Sequence, residues 1–169
     1  MGILGDRLPP EVRRTLGLAR GERILAWAPG LAPGSVLVAT DRALHARGWP
    51  ETIPVPDRLA WHTILRASWT EPTLEVLPLG RPATVIRLEL REPGSLPAAV
   101  RDRVTASVVV QERLELSAGR GARAVARRDS DTGEVRWAVT FDAGLDPSNA
   151  ALRAQADAAL ARMRSALGV

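Results

Sequence analysis

The residues that could do chemistry in this chain are few, and His45 and His62 come first. They are the only two histidines, and Asp41 and Asp57 stand close to them in sequence. Two imidazoles and a carboxylate make a recurrent ligand set for a transition metal. Neither an HxH nor an HxxxH spacing occurs, however, and His45 is expected on the outward face of a strand. No metal site and no acid–base pair is expected from these four residues. A serine nucleophile would need a G-x-S-x-G elbow or an S-x-x-K pair. Both are missing, and the chain has no Lys at all. Gly17 to Gly21 and Gly119-Arg120-Gly121 are turn glycines without the Gly-Lys-Ser/Thr of a phosphate-binding loop. Asp129, Asp131 and Glu134 cluster, but the spacing to a closing Glu is wrong for a calcium loop. Asp129-Ser130-Asp131-Thr132-Gly133 reads instead as a hairpin turn. The expectation is that the chain is not an enzyme and has no catalytic residue, cofactor or metal.

Two surfaces could bind. The first is a loop with three prolines, Gly48 to Pro56, that holds Trp49, Ile53 and Val55. A Trp exposed in such a loop can anchor a protein partner. The competing reading folds Trp49 back over a sheet edge. The second surface is an arginine-rich hairpin with Arg120, Arg123, Arg127 and Arg128, extended by Arg113 and Arg136. Arg suits bidentate phosphate recognition. Aromatic residues do not interleave with these arginines as single-strand binding requires, and acidic residues are mixed among them. The leading expectation is a protein partner or self-association through Trp49, Ile53 and Val55. An anionic surface or nucleic acid held by the four arginines ranks second, and an enzyme of unknown type third.

The elements that must position these residues are mostly strands. Pro9 and Pro10 suit a first helical turn, and Leu8, Val12 and Leu16 recur at helical spacing, which predicts a short first helix that stops at Gly17. Glu22 to Ala28, Ser35 to Thr40 and Ala43 to Arg47 read as strands, the last two joined by a turn at Asp41-Arg42. Arg58 to Trp69 predicts a strand broken near His62-Thr63, followed by Leu74 to Leu77 and Ala83 to Arg91. In the last of these Ile86, Leu88 and Leu90 alternate with Arg87, Glu89 and Arg91, as in a half-buried antiparallel strand. Leu96 to Arg103 predicts a short helix capped by Ser95. Val104, Ala106, Val108, Val110, Leu114 and Leu116 share one parity and predict a long strand with a bulge near Gln111-Glu112. Arg123 to Arg128 and Val135 to Phe141 predict a hairpin. Leu152, Ala156, Leu160, Met163 and Leu167 form the apolar stripe of a helix that starts with Asp146 as cap and Pro147 in its first position, and stops at Gly168.

The order of these elements implies an α+β fold, mainly antiparallel β, with a curved sheet or partly open barrel and a long C-terminal helix. The 169 residues are expected to form a single domain, 1–169, with one sheet in 17–91 and a meander plus helix in 104–169 packed on it. Cysteine is absent, which removes disulfides and thiolate chemistry. No stretch is apolar enough for a bilayer span. Met1 to Arg7 has neither the charged start nor the apolar run of a signal peptide, and Asp6 stands where myristoylation needs Ser or Thr. A cytoplasmic location is expected. All 23 basic residues are Arg, and net charge is only +4. A chain with no Tyr, one Phe and one Asn but abundant Ala, Arg, Gly and Pro follows GC-rich codons, so its arginines say little about a polyanion.

Gly21-Glu22-Arg23-Ile24-Leu25-Ala26-Trp27, Val38-Ala39-Thr40-Asp41-Arg42-Ala43-Leu44, and Trp61, Ile64, Ala67 and Trp69 carry a resemblance. Over residues 17–91 the chain resembles small bacterial, actinobacterial proteins with a pleckstrin-homology-like domain. The resemblance implies a fold more than a function. Lipid-binding members of that wider family hold phosphates with basic residues around the first hairpin loop. Here Ala28 to Ser35 contains no Arg, so phosphoinositide is not an expected partner.

Overall fold

A computed structural model describes residues 7–79, 84–117 and 119–168. The expectations for Met1 to Asp6 and for Ala83 fall outside these. The fold is α+β with antiparallel sheets throughout, and it forms two compact units, Met1–Thr105 and Ala106–Val169. No helix among the described residues is long and apolar enough to cross a membrane.

The first unit opens with helix α1 (Pro10–Thr15). Strands β1 (Ile24–Pro29), β2 (Val36–Thr40), β3 (Ala43–Arg47) and β4 (Arg58–Ala60) form one sheet in sequence order. A 3-10 turn, Trp61–Thr63, makes the expected break at His62-Thr63. Strands β5 (Ile64–Thr70), β6 (Thr73–Pro78) and β7 (Ile86–Glu89) then form a second sheet. Bonds from the Leu31 N–H to Glu89 O and from the Arg91 N–H to Pro29 O tie the outer ends of β1 and β7 together. Helix α2 (Leu96–Ala106) adds Leu96, Val100 and Val104 to the core between the sheets. That core includes Leu37, Leu44, Trp61, Ile64, Leu74, Val76, Leu88 and Leu90. The alternation read in β7 holds, with Ile86, Leu88 and Leu90 buried and Arg87, Glu89 and Arg91 exposed. The opposite face of the first sheet carries a smaller cluster in which Val36 and Val38 meet Leu16, with Val12 and Leu8 of the α1 segment packed against them.

Val104 and Ala106 are corrected by this structure. The parity argument places them in a strand, whereas they close α2. Val100 and Val104 lie four residues apart, which is one helical face and equally one strand parity. Period alone does not separate the two at that spacing.

The second unit is a three-stranded sheet under one helix. Strands β8 (Val108–Ser117), β9 (Arg120–Arg128) and β10 (Val135–Phe141) lie in the order β10-β9-β8. The irregularities of β8 fall at Val108/Val110 and Glu115/Ser117, on either side of the expected bulge. Helix α3 (Ala150–Leu167) packs over β8 and β9. Its cap is Asn149, not Asp146: the Asn149 carboxamide accepts from the Ala151 and Leu152 N–H groups. Asp146 Oδ1 instead accepts from the Ser148 N–H and hydroxyl, which turns the chain before the helix starts. Gly168 ends the helix in the left-handed conformation, φ 71. Of the expected stripe, Ala156 and Met163 are buried together with Ala159, Leu152 and Leu160 are half-buried, and Leu167 is exposed.

Candidate functional site

His45 is the first residue whose placement differs from expectation. It is 1% exposed, on the face of β3 opposite Leu44 and Ala46, and its Nε2 lies 2.8 Å from Glu22 Oε1. Glu22 is buried as well, and holds the Ala19 N–H with Oε2 at 2.9 Å. The Thr40 hydroxyl donates to Glu22 Oε1 at 2.6 Å and accepts from the Arg42 and Ala43 N–H groups. One proton and two lone pairs are thereby used, the full capacity of a hydroxyl. Burial pushes the Glu22 carboxyl up, but the hydrogen bonds from Thr40, His45 and Ala19 outweigh it and hold the group below its ordinary range. An ionised carboxylate only accepts, so the bond assigns the His45 proton to Nε2.

Asp41 completes this knot from outside. It accepts from the Arg23 N–H with Oδ1 and from Arg23 Nε with Oδ2. Glu22-Arg23 and Thr40-Asp41-Arg42 thus meet across β1 and the β2–β3 turn. In the structure they pin the β2–β3 turn to the start of β1. Asp41 is therefore engaged with Arg23 and does not join His45 in a ligand set. Among the described residues no group of three His, Asp or Glu side chains converges as a metal site would require.

The Pro-rich loop lies against the first core. Trp49 is half-buried, donates from Nε1 to Val36 O at 3.1 Å, and rests on Gly30. A Cβ on Gly30 would come within 2.8 Å of Trp49 Cη2, so a side chain there would displace the ring. Ile53 and Val55 are also half-buried on the same core. The three residues share one surface, and each already contributes to packing.

The four arginines are not brought together. Strand alternation sends Arg123 and Arg127 to one face of β9 and Arg120 and Arg128 to the other. Arg120 and Arg128 stand at opposite ends, roughly 26 Å apart at the rise of a strand. Arg127 is buried, its Nη1 donates to Ser107 Oγ at 2.7 Å, and burial pulls its guanidinium below the ordinary value. Arg120 and Arg128 donate to the carbonyls of Gly144 and Gly133. The neighbouring Arg113 pairs with Asp142 at 2.6 Å, and Arg136 lies 3.6 Å from Asp129. Asp129 Oδ1 in turn holds the Asp131 and Thr132 N–H groups, which makes this acidic cluster a turn.

A surface that the sequence reading passed over lies at the outer edge of β10. The strand pairs with β9 over seven residues without irregularity, from Val135↔Arg128 to Phe141↔Ala122. None of its residues is buried. The Asp129 N–H bonds to Glu134 O at one end of the ladder, and the Asp142 N–H bonds to Gly121 O at the other. Antiparallel pairs alternate between bonded and non-bonded. Arg136, Ala138 and Thr140 therefore bond to β9, while Val135, Trp137, Val139 and Phe141 turn their N–H and C=O groups outward. Among the described residues no strand pairs with that edge. Trp137, Val139 and Phe141 also form an apolar row, packed against the second core but half-exposed because α3 lies over β8 and β9. Arg164 covers the Trp137 ring at 5.6 Å.

The other edge of the same sheet is built differently. The β8 edge carries Gln111, Glu112, Arg113 and Glu115 on its surface and is irregular near both ends. Charges and bulges are the usual protection of a free edge. The β10 edge has one charge, Arg136, with no proline and no bulge. A cleft of about 310 Å³ between β8 and α3 is lined by Glu112, Arg113, Glu115 and Arg162 among others, a polar lining that does not suit an apolar ligand. Compared with known proteins, the chain matches no family model, no curated protein and no solved structure.

Proposed function

We propose that this chain is a non-enzymatic interaction domain that associates with protein through the outer edge of β10. The observation that carries the reading is the contrast between that edge and β8: one regular, nearly uncharged and backed by a half-exposed Trp137, Val139 and Phe141 row, the other charged and irregular. Strand addition to such an edge gives affinity through main-chain bonds and specificity through alternate side chains. The Trp49, Ile53 and Val55 surface has less support: it is packed on its own core to a similar degree, and it lies in a loop that offers no strand ladder for a partner to join. A polyanion surface of Arg120, Arg123, Arg127 and Arg128 has less again, because the strand divides them between two faces. A pleckstrin-homology-like reading of residues 17–91 is supported by two antiparallel sheets that share one core.

Val139→Pro tests the reading. It removes an N–H that points away from β9, so the β9–β10 ladder keeps its bonds, as proline on an edge strand allows. Proteins held from an extract of native cells by the immobilised chain are expected to be lost with Val139→Pro while circular dichroism stays unchanged. Equal retention by both chains would refute β10 as the contact.

A further inference from the structure

We infer that the occupant of the β10 edge is a second copy of the chain, paired antiparallel about a two-fold axis at Ala138. This rests on the reading of β10 as the contact edge and names its partner. The register of the outward-facing groups favours a second copy. Antiparallel pairing about Ala138 sets Val135 opposite Phe141 and Trp137 opposite Val139, and these are the residues whose N–H and C=O groups point outward. The register uses all seven residues of both strands and forms about eight interchain N–H···O=C bonds. It sets Arg136 opposite Thr140, so no like charges meet. A register centred on Arg136 would place two guanidinium groups opposite one another, which is unfavourable.

The side chains agree with that register. Trp137, Val139 and Phe141 lie on the face that carries α3, and α3 leaves them half-covered. A two-fold axis through Ala138, perpendicular to the sheet, keeps both copies of this row on the same face. The two rows then run together into one apolar stripe along the two central strands of a six-stranded sheet, and each Trp137 faces the partner's Val139. An interface of this kind is isologous and closes on itself, so it gives a dimer and not a filament.

Sedimentation equilibrium on the full chain reads the outcome. The wild type is expected at twice the chain mass of 18.2 kDa. Ala138→Glu and Ala138→Arg each place like charges at the axis and should each weaken association by about tenfold or more. An equimolar mixture of the two variants should recover the dimer, because opposite charges then meet at the axis. Recovery in the mixture is a readout that a folding defect would not produce. A dimer unaffected by Ala138→Glu would overturn the inference, since the copies would then meet elsewhere. A wild type that stays monomeric overturns it too, and the extract experiment then separates the two ideas. Proteins lost with Val139→Pro would leave the β10 reading standing with a different partner, and no such loss would remove both.

Discussion

The two units bury their deepest aromatic residues to different depths. In the first, Trp61 is 1% exposed within a core of large side chains drawn from two sheets and α2. In the second, the buried positions are mainly alanine, with Leu114 and Met163, while Trp137, Val139 and Phe141 stay half-exposed. One sheet under one helix covers only part of one face, and α3 lies over β8 and β9. The first unit closes one core between two sheets and α2, although Leu25 and Leu31 stay exposed. The second leaves an apolar row beside an edge that no strand among the described residues pairs with. A fold that covers its surface has little left with which to bind, and the uncovered part marks where binding is to be sought.

Equivalent substitutions in the two units sharpen that contrast. Trp61→Ala should have the largest effect, about 4 kcal/mol of unfolding free energy in chemical denaturation. Trp137→Ala should cost about 1–2 kcal/mol, since the ring is only partly buried and its core is mostly alanine, and it should weaken association as well. A Trp137→Ala cost equal to that of Trp61→Ala would erase the distinction.

The buried polar knot comes next. Glu22→Ala removes the common partner of His45, Thr40 and Ala19 and should cost about 3 kcal/mol. The sign of its pH dependence follows from the direction of the shift. The Glu22 carboxyl is held below its ordinary range in the folded chain. Its contribution is therefore complete above the unfolded value of about 4.3 and fades as pH falls through the lower, folded one. Denaturation profiles of the wild type and Glu22→Gln between pH 7 and pH 3 (roughly the span over which such a carboxylate titrates) should converge at the acid end. Parallel profiles would deny Glu22 that role.

In the second unit the effects are smaller. Met163→Ala should cost about 2 kcal/mol, because its contacts are mostly alanine and can close in part around the loss. Asn149→Ala removes the cap of α3 and should cost about 1 kcal/mol. Both are read from thermal or denaturant midpoints. An Asn149→Ala effect that exceeds that of Met163→Ala would mean that α3 depends on its cap more than on its packing.

Much of the architecture was legible from local pattern. Alternation marked β7 and β10, the break at His62-Thr63 marked the 3-10 turn, and Gly17 and Gly168 marked the ends of two helices. The helix cap was read three residues early, because Asp146 and Asn149 both suit a turn before a helix and only the backbone path chooses between them. His45 does stand on the face of β3 away from the main core, as its strand position implies, but that face is covered. Its burial needed Glu22, 23 positions away, a carboxylate in a segment that otherwise read as a plain strand. The candidate site was less legible still. The Trp49 loop and the arginines are conspicuous in composition, whereas the β10 edge is conspicuous only once the neighbours of each strand are known.

The amino-acid sequence by itself determined most element types, the antiparallel character and the Thr40-Asp41-Arg42 turn, because these follow from side-chain period and from bonds that short-range geometry can form. Tertiary structure alone decided that Glu22 and His45 meet, that Arg123 and Arg127 part from Arg120 and Arg128, and that β10 rather than β9 has an open edge. Strand order and burial are sums over residues distant in the chain, and no local window contains them.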